Sequence, residues 1–554
     1  MEISCPKPPW SCQIVRSIAS LGFVACLLLE VAGAATKSGP APPSLAASVE
    51  SADAAYRHLP GSLPAYNLAV REICAAMEME TTAQFVSSLK ALGVGFDSPK
   101  VALPLHDVEI AMPPLASNEM RAGIPLLLGY ETKKAPLYPP EGLFVDATAI
   151  YGRTAGQRRF SILAGASEAE LNRRTYRLAA NYTAAGDQLR SRAKRLAKSG
   201  FASMIRPFAA SRKPQIYLLD PYDPNKTPLL MVHGLQSTPV AFAVLVNALR
   251  QDPEVRDKYQ VWQFYYASGT PVFVNAQELR TSLDKTLHTL DPKDHDAATK
   301  RIVVLGHSMG GVISHTLVSS SQNRLWSSVF RVPPAQVKGN REVVQELDRI
   351  LTFQRNPRVV RVIFMATPHR GSPMADSFIG FMGNSLTRLD PMLEYGFGRL
   401  ARENREVMTP QAAIFYPHGQ FSAVRTLSPE NPALIALSEL PIEVPYHSVI
   451  GQHHPGRKDA GSDGVVPYWS SHLTGAQSEV IVRSGHAVLT NLDAVRETIR
   501  ILHLGVDTIP HRAKDESLHH VGRRCPGFGT SRCLVEARRS SNCSKSCSTV
   551  SIAR

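Results

Sequence analysis

Between Cys74 and Cys525 the chain has no cysteine. Whatever folds there is held neither by disulfides nor by a cysteine-ligated metal. Only one apolar run approaches membrane length, and it lies at the extreme N-terminus, which excludes a multi-span transporter. No internal repeat occurs, so solenoids and propellers are excluded too. Charged residues make up only 19 % and hydrophobic ones 44 %, a globular balance rather than a disordered one. At 554 residues, two or three domains are expected.

The formal charge of +14 first suggests an anionic partner. Its distribution argues otherwise. From Gly505 onward Arg512, Lys514, Arg523, Arg524, Arg532, Arg538, Arg539, Lys545 and Arg554 oppose only Asp507, Asp515, Glu516 and Glu536. About a third of the excess therefore sits in a tail without interleaved aromatics or a nucleic-acid motif, and no nucleic-acid partner is expected. Cys525, Cys533, Cys543 and Cys547 crowd this tail (506–554) without a zinc spacing, and its Ser/Arg-rich composition is that of a poorly ordered segment.

The N-terminus (1–34) reads as an export signal. Lys7 and Arg16 precede an apolar stretch from Ile18 to Val31, and Ala32-Gly33-Ala34 supplies small residues for cleavage. Two other readings stand beside it: a lipid anchor on Cys26 and an uncleaved single anchor. All three place the bulk of the chain outside the cytoplasm, with peripheral membrane association open. Residues 35–48 read as a linker. Residues 49–217 carry no recognisable catalytic set. They contain a helical pattern over 65–77, short strands over 125–130 and 142–146, and apolar residues at helical intervals over 168–198, read as a cationic amphipathic helix or helix pair.

From Leu218 apolar runs alternate with helical patterns. Strands are expected at 228–232, 259–266, 302–305 and 359–365, with helices at 239–250, 276–290 and 310–320. Runs of that kind suit strands buried on both faces of a mostly parallel, helix-covered sheet, an α/β fold. Gly306-His307-Ser308-Met309-Gly310 follows one strand and precedes a helix. This is a nucleophile elbow: a sharp turn that lifts a serine hydroxyl above the sheet, with glycines where side chains would strike backbone. A serine hydroxyl needs a base and an orienting acid, here expected later in the chain. Asp463, beside Gly464, fits the acid. His486, after a strand over 478–482 and before a helix over 490–502, fits the base. His307, His369, His447, His453, His454 and His472 compete with it. The backbone N–H groups of Leu235 and Met309 are the expected oxyanion donors, and His233 reads as a structural brace.

Residues from about Pro228 to Leu504 resemble an α/β-hydrolase of the lipase and esterase kind. The resemblance rests on Val232-His233-Gly234-Leu235, Gly306-His307-Ser308-Met309-Gly310-Gly311, Ala366-Thr367-Pro368-His369-Arg370-Gly371-Ser372, Ser462-Asp463-Gly464-Val465-Val466-Pro467 and His486. The run from Ala366 also resembles bacterial triacylglycerol lipases and deacylases acting on GPI-anchor inositol. It implies an α/β-hydrolase fold over 218–505 with an additional α+β N-terminal region. It also implies a serine hydrolase acting on ester or lipid small molecules without metal or cofactor. An insertion over 372–441, with Phe378–Met382 and Met392–Phe397, reads either as a cap walling an acyl pocket or as core helices. An acyltransferase on the same triad, a serine peptidase and a non-enzymatic envelope scaffold are the alternatives.

Overall fold

The computed structural model describes residues 43–506 apart from 100, 102, 112–120, 192–212, 375–390, 417–422 and 455–460. The N-terminal segment with Cys26, Phe378–Met382 of the insertion and the tail with its four cysteines lie outside the described residues.

Three helices open the described chain: α1 (Leu45–Arg57), α2 (Leu63–Met79) and α3 (Thr82–Ala91). Residues 45–48 of the expected linker thus belong to α1, which Ser44 caps by accepting from Ala47 N. Thr81 and Gln84 form a capping box on α3. The helices cover a five-stranded sheet of β1 (Val94–Asp97), β2 (Leu105–Ile110), β3 (Ile124–Tyr130), β4 (Leu143–Thr154) and β5 (Gln157–Ala164), in the order β1-β5-β4-β3-β2. Tyr66, Val70, Ile73 and Cys74 of α2 are buried in this core. The Tyr66 hydroxyl donates to the Tyr151 carbonyl at 2.7 Å and accepts the Tyr151 N–H at 2.9 Å, tying helix to sheet.

The helix expected over 168–198 is corrected in its first part. Glu168–Leu171 (β6) and Arg174–Arg177 (β7) form an antiparallel hairpin. Asn172 and Arg173 stand at φ 47° and 61° between them, the pair of left-handed residues a two-residue hairpin turn needs. The apolar residues at helical intervals here straddle a turn. Residues 184–191 are helical, and 192–198 are not described.

The second sheet is built from β8 (Gln215–Leu218), β9 (Thr227–Val232), β10 (Tyr259–Tyr265), β11 (Ile302–His307), β12 (Val359–Met365), β13 (Tyr446–Gln452) and β14 (Ser478–Arg483). Their order is β14-β13-β12-β11-β9-β10-β8, parallel throughout except for β8. The helices that pack on it include α4 (Ala243–Gln251), α5 (Pro253–Lys258), α6 (Val272–Leu290), α7 (Met309–Val318), α8 (Arg341–Leu351) and α9 (Leu492–His503). On β11, Ile302 and Val304 enter the core on one face while Val303 and Leu305 enter the core on the other. Each such side chain contributes about 1.5–3 kcal/mol of hydrophobic stabilisation, which is why the strand reads as an unbroken apolar run. Val232 pairs with Gly306, and His307 with Met365, so β9, β11 and β12 end at one edge of the sheet.

The chain between β3 and β4 reaches this second sheet. Leu218 N donates to the Leu137 carbonyl at 2.8 Å, and Gln215 Nε2 to that of Pro136 at 2.6 Å. The edge strand β8 is thereby covered rather than left open. In the insertion, the described segments are helices at Pro391–Glu403, Pro410–Phe415, Ala423–Thr426 and Pro432–Ser438. Phe397 and Leu400 are buried in the main core, so this part of the insertion is core.

Candidate active site

Strand β11 ends at His307, and α7 begins at Met309. Ser308 makes the whole turn, at φ 55° and ψ −127°. A non-glycine residue in that region carries about 1–3 kcal/mol of strain, which the surroundings must hold. They do so by close packing. A Cβ on Gly310 would lie 2.1 Å from the Val232 carbonyl oxygen, and one on Gly306 would lie 2.5 Å from Gly311 Cα. Hydrogen is the only substituent these positions admit. The Ser308 N–H is anchored on the Met365 carbonyl at 2.9 Å.

The loop after β13 carries Asp463, and the loop after β14 carries His486. Asp463 Oδ1 accepts the N–H groups of Val465 and Val466 at 2.8 and 2.7 Å. Its Oδ2 lies 2.8 Å from His486 Nδ1. On the other side of the ring, His486 Nε2 lies 2.8 Å from Ser308 Oγ. The three side chains, 178 and 23 residues apart along the sequence, form one continuous hydrogen-bonded chain. Asp463 and Ser308 are buried while the imidazole stays partly open. Such an arrangement can pass a proton from the hydroxyl to the imidazole and hold the resulting imidazolium against a carboxylate.

The loop after β9 lies against the same turn. A Cβ on Gly234 would meet the Ser308 Cβ at 2.9 Å. Among the described residues the N–H groups of Leu235 and Met309 make no hydrogen bond. Met309 opens α7, where the first N–H groups have no partner within the helix. His233 lies outside the Ser–His–Asp chain. It is fully buried, and its ring stacks on Tyr266 with centroids 4.1 Å apart. The Tyr266 hydroxyl donates to its carbonyl, and burial pushes the imidazole down to about 4.

One contact was missed by the sequence reading. His307, there a competitor for the base, points its Nε2 at the His486 carbonyl oxygen, 2.9 Å away. A carbonyl only accepts, so Nε2 carries the proton and Nδ1 is bare. Burial pushes this imidazole down to about 4, which keeps it neutral. It therefore braces the backbone of His486. Three other competitors are held elsewhere: His447 on Arg361 and Ser478, His472 on Glu479, and His369 buried beside Phe364, while the His453 ring lies against Gly464 and Gly485, outside the Ser–His–Asp chain.

Residues 225–394 match the family model described as "Putative serine esterase (DUF676)". That match spans 170 of the 554 residues, within a fold of the α/β-hydrolase kind. No curated protein matches the chain. Among solved structures, the chain is similar to the mature lipase BlEst2 of Bacillus licheniformis, at 15 % identity over 52 % of this chain and 97 % of that one, with a TM-score of 0.31. EstA of Clostridium botulinum is 13 % identical over 50 % of this chain and 87 % of its own, with a TM-score of 0.29. The enol-lactonase of Burkholderia xenovorans LB400 is 14 % identical over 52 % and 94 %, with a TM-score of 0.26. Likeness at that level carries no argument about substrate.

Proposed function

We propose that the hydrolase cleaves carboxylic esters of the lipase and esterase substrate class through an acyl-enzyme on Ser308, and that the chain is exported. The observation that carries the reading is the chain Ser308 Oγ, His486 Nε2, His486 Nδ1, Asp463 Oδ2, with both contacts at 2.8 Å. His486 takes the hydroxyl proton as Ser308 Oγ bonds to the ester carbonyl carbon. The N–H groups of Leu235 and Met309 receive the oxygen that becomes negative, and each such donor is worth about 3–4 kcal/mol in the transition state. Collapse expels the alkoxide, which His486 protonates. Water then enters, and His486 takes its proton as the water oxygen bonds to the acyl carbon; collapse breaks the bond to Ser308 Oγ, His486 returns the proton to that oxygen, and the acid leaves. Asp463 keeps the proton on Nδ1, so that Nε2 faces the serine as a base.

Export is supported by the basic and apolar N-terminal segment with its Ala32-Gly33-Ala34. Among the described residues no helix is long and apolar enough to cross a membrane. The function is tested with p-nitrophenyl esters of graded chain length, run beside peptide and phospholipid substrates and with added alcohols as acyl acceptors. Ester turnover to free acid supports hydrolysis. Exclusive transfer to the alcohol makes the protein an acyltransferase. The N-terminal mass of the protein recovered from the cell exterior tests cleavage after Ala34.

A further inference from the structure

A cleft of about 340 Å³ lies between the N-terminal region and the hydrolase, away from Ser308. Val145 and Ala164 of the five-stranded sheet, with Tyr182, form one wall. The other wall comes from α4, α5 and the starts of β9 and β10, where Lys226, Tyr259 and Gln260 stand. Ser308 follows the opposite end of β11, which runs parallel to β9. A strand of this length spans roughly 20 Å, so the cleft and the triad occupy opposite edges of one sheet. The volume falls in the range of small-molecule pockets, roughly 300–1,000 Å³.

The charges in the walls are unequally matched. Arg250 holds Asp220 at 2.7 Å and stands 3.8 Å from Asp146. Asp220 also accepts Val261 N at 2.9 Å, and Asp146 accepts Ala185 N at 3.0 Å. Lys226 Nζ donates to the Arg256 carbonyl at 2.9 Å, and Asp223 Oδ1 accepts the Asn225 N–H at 2.9 Å. Arg256 differs. Its side chain is 9 % exposed, and its guanidinium sits 3.9 Å above the Tyr182 ring centroid. One nitrogen donates to the Arg250 carbonyl, but Nε has no hydrogen-bond partner among the described residues. Among the described residues the one carboxylate within 4.0 Å of it, Asp257, is largely exposed to water. A buried guanidinium with one N–H left without an acceptor is costly, and an anion in the cleft would relieve that cost. Three nearby carboxylates make a dianion unfavourable, which leaves a singly charged group. The remaining wall around Val145, Leu249 and Val255 is apolar.

We propose that this cleft is a second small-molecule site, separate from the triad, for a small carboxylate with an apolar body. The carboxylate faces Arg256, and the body lies against Val145, Leu249 and Val255. Because the walls belong to two sheets, the bound molecule bridges the N-terminal region and the hydrolase.

Calorimetric titration of the full chain with octanoate tests this. Saturable binding is expected, together with a melting temperature that rises with octanoate. Arg256→Gln should weaken binding at least tenfold. Ala164→Trp, an exposed position at the rim, should do the same by filling the mouth while leaving ester turnover unchanged. Three results would overturn the proposal: no saturable binding, equal binding by wild type and both variants, or inorganic phosphate displacing octanoate at matching concentrations. Displacement of octanoate from the Ser308→Ala variant by p-nitrophenyl butyrate would also overturn it, because the carboxylate would then sit at the triad.

Discussion

Replacing Asp463 by asparagine changes one atom and, through it, the direction of both side-chain hydrogen bonds of His486. Asp463 Oδ1 now accepts two N–H groups, from Val465 and Val466, at 2.8 and 2.7 Å. Asparagine has one oxygen and one NH2 group. With its oxygen toward Val465 and Val466, both N–H groups keep an acceptor, and the NH2 faces His486 Nδ1. With the amide reversed, two buried N–H groups confront a donor, at a cost of about 1–3 kcal/mol each. The first orientation therefore wins by about 2–6 kcal/mol. In it the NH2 donates to Nδ1, so the imidazole proton moves to Nε2 and points at Ser308 Oγ. The ring then donates where it must accept. Such a tautomer reversal lowers kcat by about 10⁴, or roughly 5.4 kcal/mol in the barrier. The assay is kcat on p-nitrophenyl butyrate, with the melting temperature as a control for folding. The melting temperature should stay close to wild type because size and packing are preserved. A folded Asp463→Asn protein within tenfold of wild-type kcat would refute the reasoning, since Asp463 would then not set the tautomer.

Other expectations can be measured alongside. Ser308→Ala should abolish covalent labelling by a fluorophosphonate, and persistent labelling places the nucleophile elsewhere. Gly310→Ala drives a methyl to 2.1 Å from the Val232 carbonyl oxygen, so denaturant titration should show a loss of about 3 kcal/mol or more, and a neutral result removes the packing argument. His307→Phe keeps the ring and deletes the bond to the His486 carbonyl; kcat should fall by roughly two- to twelvefold with little change in KM, and no fall in kcat removes the bracing role. Burial raises Asp146 from 3.8 to about 6, so between those values the folded chain binds more protons than the unfolded one and stability falls as pH rises. Asp146→Asn should remove that fall, gaining on wild type by about 2 kcal/mol between pH 4 and pH 7; parallel stability curves would contradict it.

What the sequence showed clearly and what it hid have one physical cause. Strands β9 to β12 are buried on both faces, so they appear as apolar runs. β13 is just as buried, yet it passed unseen. Its His447 is held by Arg361 and Ser478, both at 2.8 Å, and a Cβ on Gly451 would come within 3.0 Å of the Asp463 Cβ. The polar residues and the glycine that break its pattern are there to satisfy buried partners and to make room for the acid. β8 failed differently: four residues at a sheet edge are too few to show a period. Ser308, Asp463 and His486 were legible because an elbow needs glycines at set spacings and a triad needs its members at strand ends. His307 was not, because a histidine beside the serine could as well have been the base, and only the 2.9 Å approach to the His486 carbonyl shows that it braces instead. In the N-terminal region no comparable chemistry constrained the reading, and the hairpin of β6 and β7 was taken for a helix. Its turn lacks the Asn-Gly pair that marks such turns, since Arg173 occupies the second left-handed position. The pattern therefore failed wherever burial was satisfied by hydrogen bonds or by tight turns rather than by apolar side chains. At β13 that failure falls beside the acid of the triad, so a buried strand that does not look like one is itself a pointer to the site.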